Sequence, residues 1–336
     1  MSAPLRLGIV GAGAVTQVAH LPVLRRIKDV EVVALCDGDL PKARALAGRF
    51  GVKLAFDDIE ELLEADALDA LLVATPNHLH ESHVLAGISA GLHVLVERPL
   101  AVNVQGAQRI AKAAEKRDRI VMPGMNHRYR NDVQTVRSFV QSGELGQIDS
   151  VQGAWHVFRP SRAQLGWRQR RAESGGGAML DLGLAVLDLG LWLAGNPAPV
   201  RVSATLDRPG GERGVEYSGS AFVVCENGAS VFVDVTWRHI GEGEYFGVGL
   251  RGTKGAADVN PLRVWKELNG VPVDVSPTGA SSRESAFSAS VRAEWAHFLA
   301  AIRGEAKAPP IDEHVTLHRV LEAVYRSADE GREIAL

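Results

Sequence analysis

The stretch at residues 8–16, Gly-Ile-Val-Gly-Ala-Gly-Ala-Val-Thr, ends a short apolar strand and begins a helix near Ala14. Gly11 and Gly13 let the backbone turn tightly at a point where side chains would block the approach of a pyrophosphate. The free N–H groups and the positive dipole end of the helix would then face the phosphates of a bound dinucleotide. Thr16 replaces the third glycine of the usual fingerprint, and similar glycine turns also occur in α/β proteins that bind no nucleotide.

A carboxylate follows the second predicted strand. Residues 30–36 form this strand, and Asp37 follows it about twenty residues beyond the glycines. A carboxylate at this spacing can accept hydrogen bonds from the adenosine ribose and would repel a 2′-phosphate. The alternative is that Asp37 only begins a turn at Gly38. Because the spacing favours the first interpretation, we expect NAD as the cofactor rather than NADP.

The composition is that of an ordinary soluble protein, with 46% hydrophobic and 23% charged residues in a chain of 336. The formal net charge is −3 and there is no run of Lys and Arg, which argues against a nucleic-acid partner. The N-terminal residues lead directly into a strand without a signal-peptide pattern, and no apolar run seen in the sequence is long enough to cross a bilayer. We therefore expect a cytoplasmic protein with neither a membrane nor a nucleic-acid partner.

Metal-binding patterns are weak in this chain. Cys36 and Cys225 each lie inside a predicted apolar strand, and their spacing matches no disulfide pattern or metal-binding motif. His314 and His318 share one face of the last helix at a spacing that a metal could bridge, but no third ligand is evident. We therefore expect these two histidines to lie at the surface and the protein to bind no metal.

The pattern of strands and helices predicts an α/β protein with two domains. Strands and helices alternate from residue 5 to about 122, which predicts a parallel sheet covered by helices on both faces. Beyond this region, period-two patterns at 151–157 and 231–237 predict a sheet with one buried and one partly exposed face. We therefore predict an NAD-binding domain over residues 1–123 and a second domain, mostly sheet, over residues 124–336.

Two polar loops follow strands of the first domain. Residues 75–80, Thr-Pro-Asn-His-Leu-His, follow one apolar strand, and residues 97–99, Glu-Arg-Pro, follow the next. Open α/β sheets bind ligands at the carboxyl ends of their strands, so both loops should reach the edge where the glycine turn lies.

A glycine-rich stretch in the second domain, residues 174–178, leads into a helix with one polar face. Asp181, Ala185 and Asp188 share that face, while the opposite face is apolar. Carboxylates on such a face would look into a cleft.

In their order and spacing these motifs resemble those of the Gfo/Idh/MocA family, which are nicotinamide-dependent sugar and cyclitol oxidoreductases. The resemblance covers nearly the whole chain and includes the glycine turn, residues 75–80, 97–99, 126–129, 142–146, 167–168, 175–188 and 325–328. It implies an N-terminal Rossmann domain and a C-terminal α/β domain with an open, mainly antiparallel sheet. It further implies a homo-oligomer, dimer or tetramer, that associates through this sheet, and an active site in the cleft between the domains.

The resemblance also implies roles for particular residues. The glycine turn would hold the pyrophosphate and Asp37 the ribose, while the two polar loops would line the nicotinamide half. The cofactor-binding candidates are Gly11, Gly13, Ala14, Val15, Asp37, Thr75, Pro76, Asn77, His80, Glu97, Arg98, Asn126, Trp167 and Arg168.

Two catalytic positions of the family carry other residues in this chain. Arg98 stands where the family has the lysine of Glu-Lys-Pro, and Ala185 stands at the histidine of Asp-x-Gly-x-His-x-x-Asp. Oxidation of an alcohol needs a base, for which histidine is well suited; Arg98 stays protonated and can only orient a substrate oxygen. Asp181 is the remaining titratable member of the set, although it could equally be a carboxylate stabilised by the helix dipole. Alternative bases are His127, Tyr129, His156, His239 and Tyr245.

Two functions therefore remain open. The first is an NAD-dependent oxidoreductase acting on a carbohydrate, cyclitol or sugar acid, with Asp181 or one of the alternative bases and with Arg98 orienting the substrate. An acidic sugar whose carboxylate pairs with Arg98 would explain the loss of the lysine. The second is a non-catalytic regulatory or sensor protein that binds NAD and a sugar. The cofactor half favours the enzyme, whereas the two replacements favour the sensor.

Overall fold

The computed structural model describes residues 3–65, 67–159, 166–211, 214–277 and 284–336. The chain divides into two compact units. The first contains residues 1–126 and 284–315, and the second contains residues 127–283 and 316–336.

The strands and helices of both units are numbered in chain order. The strands are β1 Leu5–Val10, β2 Val30–Cys36, β3 Leu54–Phe56, β4 Ala70–Val73, β5 His93–Glu97, β6 Val121–Gly124, β7 Ile148–His156, β8 Pro199–Asp207, β9 Ser218–Cys225, β10 Ser230–Thr236, β11 Tyr245–Gly252, β12 Gly255–Val259, β13 Arg263–Leu268, β14 Val271–Asp274 and β15 Ile334–Ala335. The helices are α1 Leu21–Leu24, α2 Leu40–Phe50, α3 Ile59–Ala65, α4 His80–Ser89, α5 Val104–Arg117, α6 Asn131–Gln141, α7 Arg171–Ser174, α8 Leu184–Leu193, α9 Ala286–Ile302 and α10 Ile311–Glu330.

The first unit is built on a parallel sheet with the strand order β3-β2-β1-β4-β5-β6. Its strands read as apolar runs because helices cover both faces of the sheet. Helices α1, α2 and α9 pack on one face, while α3, α4 and α5 pack on the other. The predicted Rossmann architecture is thus confirmed.

Helix α9 belongs to the first unit, whereas the division at residues 123 and 124 assigns it to the second domain. Val291, Trp295 and Phe298 are buried in the same cluster as Leu7 and Ile9 of β1. The apolar stripe predicts that the helix is buried, but a stripe does not show which sheet the helix packs on.

The second unit is built on a sheet with the strand order β14-β13-β12-β11-β7-β10-β9-β8-β15. Its pairs are antiparallel except for β7 and β10, so the mainly antiparallel sheet is confirmed. A π-helical turn, Met179–Gly183, and α8 pack on one face. Gly153 and Gly190 permit this close packing, since a Cβ atom on either would come within 2.4 Å of a valine side chain.

The stretch Arg171–Leu193 is long and apolar enough to cross a membrane by length and composition, and the expectation that no such run exists was wrong. Of its most apolar window, 89% is buried inside the structure. Packing of α8 against the sheet accounts for its apolar composition.

The other face of the second sheet is open in its central strands. Val231, Val233 and Val235 of β10 point toward α8 and are buried, whereas Phe232 points to the open face. Phe232 lies directly opposite Phe222 of β9, and the two rings are 38% and 44% exposed. The period-two prediction for residues 231–237 is confirmed.

The two histidines of α10 do not lie at the surface, as the sequence led us to expect. His314 is 1% and His318 is 2% exposed. The buried stripe of α10 is wider than its apolar residues alone indicate, because it also includes these two positions. Within the described residues, no group of three or more His, Cys, Asp or Glu is arranged to hold a metal ion.

Candidate functional site

The glycine turn follows β1 and has the backbone shape that the sequence predicts. Gly11 has a φ of +104°, and a Cβ atom on it would lie 2.3 Å from the carbonyl oxygen of Ala74. A Cβ atom on Gly13 would lie 4.0 Å from the nearest protein atom, so protein packing does not require glycine there. The space beside Gly13 fits the close approach of a pyrophosphate. Ala14 and Val15 begin the helix and are not buried.

Thr16, which departs from the glycine fingerprint, is accommodated by local structure. It is fully buried, and its hydroxyl donates a hydrogen bond of 2.5 Å to the carbonyl oxygen of Gly11. Residues Thr16–His20 form a π-helical turn, which is wider than an α-helical one. The branched side chain therefore fastens the turn instead of preventing it.

Asp37 follows β2 and is held in place by three donors. Its Oδ2 accepts hydrogen bonds from the Ala12 backbone N–H at 2.7 Å and from Lys42 Nζ at 2.9 Å, and Oδ1 accepts one from the Asp39 N–H at 3.1 Å. Burial alone would raise the pKa of Asp37, but these hydrogen bonds outweigh it and hold the pKa below its usual range. Asp37 is therefore ionised and positioned against the glycine turn. Lys42 is a neighbouring cation that the sequence did not single out.

The loop after β4 is fastened to the loop after β5 by His80. The ring of His80 lies between the carbonyl oxygens of Thr75, at 2.9 Å from Nε2, and Pro99, at 2.6 Å from Nδ1. Burial lowers the pKa of His80. Thr75 and Pro76 are half-buried, and Asn77 begins a 3₁₀ turn. His80 itself is 1% exposed, so its ring connects the two loops and is not accessible to solvent.

Glu97 ends β5 and is anchored by a buried histidine. Trp295 Nε1–H donates to Nδ1 of His20 at 3.0 Å, so Nε2 of that ring carries the proton and donates to Glu97 Oε1 at 2.8 Å. Burial alone would raise the pKa of Glu97. The hydrogen bond that His20 donates, together with the charge of Arg98, outweighs this effect and lowers the pKa of Glu97. Glu97 is therefore a fixed anion beside the half-buried Arg98.

A second carboxyl group, Glu294 of α9, lies close to this pair. It is 1% exposed, and no hydrogen-bond partner for its Oε1 is found among the residues that the structure describes. Burial raises the pKa of Glu294 well above its usual value, the charge of Glu97 raises it further, and Arg98 opposes them. One turn earlier, the buried Ser290 accepts a hydrogen bond of 3.0 Å from Asn126 Nδ2. Sequence reasoning missed both residues, although they interrupt the apolar stripe of α9.

Glu294→Gln is expected to stabilise the protein at neutral and alkaline pH but not at pH 4. The folded state keeps a proton on Glu294 that the unfolded chain, with an ordinary glutamate pKa, releases. The free energy of unfolding of the natural protein therefore falls as the pH rises from the unfolded to the folded pKa, and each unit between these pKa values is worth about 1.4 kcal/mol. Glutamine is always neutral, so the melting temperature of the variant should exceed that of the natural protein increasingly from pH 5 to pH 8.

The control for this measurement is Glu305→Gln, since Glu305 is exposed. Its melting temperature should follow that of the natural protein at every pH. A constant difference between Glu294→Gln and the natural protein across this range would contradict a protonated Glu294.

In the second unit, Asp181 lies in the π-helical turn before α8 and accepts hydrogen bonds from an arginine and a tryptophan. Its Oδ2 accepts hydrogen bonds from Arg159 Nη2 at 2.7 Å and from Trp237 Nε1 at 3.1 Å. The guanidinium of Arg159 also packs over the Trp237 ring at 5.4 Å. Asp181 is thus an oriented, ion-paired carboxylate that is still partly exposed. Its two partners follow β7 and β10 in the chain, and the Arg159 backbone N–H donates a hydrogen bond of 2.8 Å to the Trp237 carbonyl oxygen.

Ala185 and Asp188 share the predicted polar face with Asp181, but the expectation that the Asp188 carboxylate looks into a cleft was wrong. Both residues are buried. The Asp188 carboxylate binds the buried guanidinium of Arg128 through two hydrogen bonds of 2.6 and 2.8 Å. A buried arginine needs such a counter-charge, and Asp188 supplies it.

The glycine-rich stretch before this helix is explained by packing. A Cβ atom on Gly177 would lie 2.0 Å from the Glu216 carbonyl oxygen. The buried Glu216 carboxylate accepts hydrogen bonds from the Gly177 and Met179 N–H groups, at 2.8 and 3.0 Å, and from the Tyr325 hydroxyl at 2.8 Å. Burial raises the pKa of Tyr325 well above its usual value, so this hydroxyl stays protonated and donates.

Of the alternative bases, His156, His239 and Tyr245 form a cluster. The ring of His156 lies 5.6 Å from that of His239 and 5.4 Å from that of Tyr245. His156 Nε2 is also 2.7 Å from Asp234 Oδ2. By its place in β10, Asp234 points to the open face of the sheet, opposite the face on which Trp237 contacts Asp181. These residues therefore do not join Asp181 in one site.

The remaining candidates lie in other surroundings. His127 is buried between the rings of Trp155 and Phe246, with centroids 4.7 and 5.0 Å away, which indicates a structural role. Tyr129 ends a 3₁₀ turn and is half-buried. Trp167 and Arg168 lie in another 3₁₀ turn, where the guanidinium stacks on the indole at 4.4 Å.

Comparison with known proteins identifies the family to which the two domains belong. Residues 5–125 match the family described as an oxidoreductase family with an NAD-binding Rossmann fold, and residues 133–258 match the GFO/IDH/MocA C-terminal domain. The chain is 27% identical over 351 residues to D-glucoside 3-dehydrogenase of Escherichia coli, covering 100% of this chain and 98% of that protein.

Two further relatives extend the comparison. The chain is 30% identical to dTDP-3,4-didehydro-2,6-dideoxy-alpha-D-glucose 3-reductase of Streptomyces antibioticus, over 74% of each chain. It is also 27% identical to GenD2 from gentamicin A biosynthesis, solved in complex with NAD, with a TM-score of 0.86 over 100% of this chain and 97% of that one. With both domain matches and the observed sheets, the chain belongs to the Gfo/Idh/MocA oxidoreductase family.

Proposed function

We propose that the protein is an NAD-dependent oxidoreductase that transfers a hydride to or from a carbohydrate, cyclitol or sugar acid. The observation that carries the proposal is the glycine turn, with the Asp37 carboxylate hydrogen-bonded across it to the Ala12 N–H. The names of the relatives, a glucoside dehydrogenase and a sugar reductase, support the substrate class.

The first unit would bind the cofactor. Backbone N–H groups after Gly11 and Gly13 would hold the pyrophosphate, for which the space beside Gly13 leaves room. A carboxylate oxygen has two lone pairs, so Asp37 Oδ1 can accept a ribose hydroxyl in addition to the Asp39 N–H. Glu97 and Asn126, anchored by His20 and Ser290, would face the nicotinamide half. NAD supplies the hydride acceptor or donor when it is bound.

Arg98 and Asp181 would act on the substrate. The guanidinium of Arg98 can hold a hydroxyl or carboxylate oxygen in a planar fork, which suits a sugar acid as well as a neutral sugar. Asp181, held by Arg159 and Trp237, can accept a hydrogen bond from a substrate hydroxyl. It would accept the alcohol proton less readily than histidine does near neutral pH.

A sensor that binds NAD and a sugar without turnover is the second candidate. The specific observation that favours it is the buried Ala185 at the family histidine position, one turn after an Asp181 that is already ion-paired. Arg98 favours the enzyme, because it keeps a cation where the family holds substrate oxygen.

The test is formation of NADH from NAD with a panel of D-glucosides, inositols, deoxysugars and uronates, together with binding of NAD by calorimetry. Turnover of any panel member supports the enzyme. Joint binding of NAD and a sugar without turnover selects the sensor, and absence of NAD binding overturns both.

NAD is expected to raise the melting temperature more than NADP does, because the ionised Asp37 would face the 2′-phosphate. Asp37→Ala should weaken the stabilisation by NAD and remove the preference. Lys42, no longer held by Asp37, would then be available to the phosphate.

The matched control is Asp39→Ala, which removes the N-cap of α2 without removing the carboxylate at the ribose position. Equal stabilisation by both cofactors in the natural protein would sink the assignment.

We further propose that the open face of the second sheet joins subunits into a dimer or tetramer. Exposed rings at Phe222 and Phe232 form an apolar centre there, which soluble monomers rarely leave in water. Light scattering should report an oligomer at micromolar concentration, and Phe232→Asp should dissociate it. The control is Phe287→Asp, which changes an exposed ring of the first unit and should leave the oligomer intact. A monomeric natural protein would refute this proposal.

A further inference from the structure

A cavity of about 540 Å³ in the first unit is lined by three arginines and two apolar residues: Pro22, Arg25, Arg26, Arg49 and Phe50. We propose that this cavity is a binding site for a phosphorylated small molecule, separate from the glycine turn. The proposal does not depend on the oxidoreductase function, because none of these residues is among the candidates for cofactor or substrate binding.

The position of the cavity separates it from the predicted NAD phosphates. Pro22, Arg25 and Arg26 lie in or just after α1, and Arg49 and Phe50 end α2, so the cavity is formed where both helices end. In parallel α/β units the helices run opposite to the strands, and their C-terminal ends lie at the amino ends of the strands. The glycine turn follows the carboxyl end of β1, at the other edge of the sheet.

The three arginines that line the cavity have no ion-pair partner among the residues that the structure describes. Arg25, Arg26 and Arg49 are all exposed. The nearby acidic groups are taken by other cations: Asp29 pairs with Arg303 at 3.1 Å, and Glu31 lies 3.7 Å from Lys53.

A third acidic group, Glu284, is also paired, since its carboxylate accepts hydrogen bonds from Arg292, the shortest at 2.8 Å. That pair lowers the pKa of Glu284, and the charge of Arg26 lowers it further. Glu284 is thus ionised, but the charge of Arg292 already balances its negative charge. The cavity therefore keeps an excess of positive charge, and its concave shape strengthens the local electrostatic potential. A bound anion would reduce the repulsion among the three arginines.

The chemistry of the lining favours phosphate among anions. A guanidinium presents paired N–H donors that match two phosphate oxygens, and three of them suit a ligand with more than one phosphate charge. The Arg49 guanidinium lies 5.4 Å from the centre of the Phe50 ring, which adds a flat apolar wall beside the charges. The volume is within the roughly 300–1,000 Å³ of small-molecule sites.

The experiment measures binding of pyrophosphate, ATP and citrate by calorimetry and melting temperature, at constant ionic strength. The variants are Arg25→Gln with Arg49→Gln, and Arg44→Gln as the matched control, an exposed arginine of α2 outside the cavity. We expect pyrophosphate or ATP to bind the natural protein and Arg44→Gln equally, and the double variant at least tenfold more weakly. Without ligand the double variant should melt no lower than the natural protein, because repulsion is removed.

Three results would overturn the proposal. In the first, neither phosphate compound binds the natural protein at millimolar concentration. In the second, the double variant binds them as tightly as the natural protein, which would place the anions elsewhere, as at the glycine turn. In the third, citrate binds more tightly than both phosphate compounds, which would make the site one for carboxylates.

Discussion

Replacing Gly11 by valine is expected to destabilise the protein severely and to abolish NAD binding. Gly11 has a φ of +104°, a conformation that a β-branched residue rarely adopts, and a Cβ atom there would overlap the Ala74 carbonyl group at 2.3 Å. A strained backbone of this kind costs about 1–3 kcal/mol before the overlap is counted, out of a total stability of about 5–15 kcal/mol. Urea unfolding measures the loss, and calorimetry with NAD measures binding.

Gly13→Ala is the matched control that separates folding from binding. Its Cβ atom would come no closer than 4.0 Å to another protein atom, so the free energy of unfolding should change little. The added methyl group would nevertheless occupy the space that we assign to the pyrophosphate, and the affinity for NAD should fall by at least about tenfold, or 1.4 kcal/mol. Unchanged NAD affinity in Gly13→Ala would show that the pyrophosphate lies elsewhere.

The cofactor half of the fold was predictable because its signals are local. The strand, the glycine turn and Asp37 follow one another along the chain, and each rests on backbone geometry that a short sequence specifies. Thr16 shows the limit of a fingerprint: it breaks the glycine pattern, yet its hydroxyl bonds the Gly11 carbonyl in a π-helical turn. Sequence spacing does not reveal such a compensation.

The surroundings of the predicted site depend on contacts between distant segments, and these were missed. Glu294 and Ser290 meet Glu97 and Asn126 only because α9 returns to the first sheet. Arg128 decides the role of Asp188 in the same way. Periodicity assigns a residue to a face of its own helix, but it does not identify the partner on the other side, so a paired structural carboxylate and a catalytic one look alike in sequence.

The same distinction bears on the two replaced catalytic positions. Ala185 is buried one turn after Asp181, and Asp181 is held by Arg159 and Trp237. A carboxylate that is already hydrogen-bonded to a guanidinium orients a hydroxyl well but removes its proton poorly. If the natural protein is a weak enzyme or a sensor, what it lacks is therefore the base, and one double variant can restore it.

Ala185→His with Arg98→Lys is expected to raise NAD-linked oxidation of some member of the sugar and cyclitol panel. General-base catalysis is worth about 10²–10⁴-fold, which is detectable against a weak background. The matched control is Ala185→Gln with Arg98→Lys, which adds a polar side chain of similar size without a base. The gain should appear only with histidine, and it should fall at low pH as the imidazole becomes protonated.

If instead the natural protein is a competent enzyme with a relocated base, the same double variant should show lower turnover on the true substrate. The histidine and glutamine versions would then be equally harmful, because both disturb a buried position without supplying anything that is missing. A missing base and a relocated base thus predict opposite signs for one measurement. Arg98 keeps a cation at the family lysine position, which a site that no longer binds substrate would not need. We therefore expect the natural protein to have a low but measurable turnover, which the histidine variant increases. If the natural protein is a sensor, it should show no turnover, and only the histidine variant should oxidise a member of the panel.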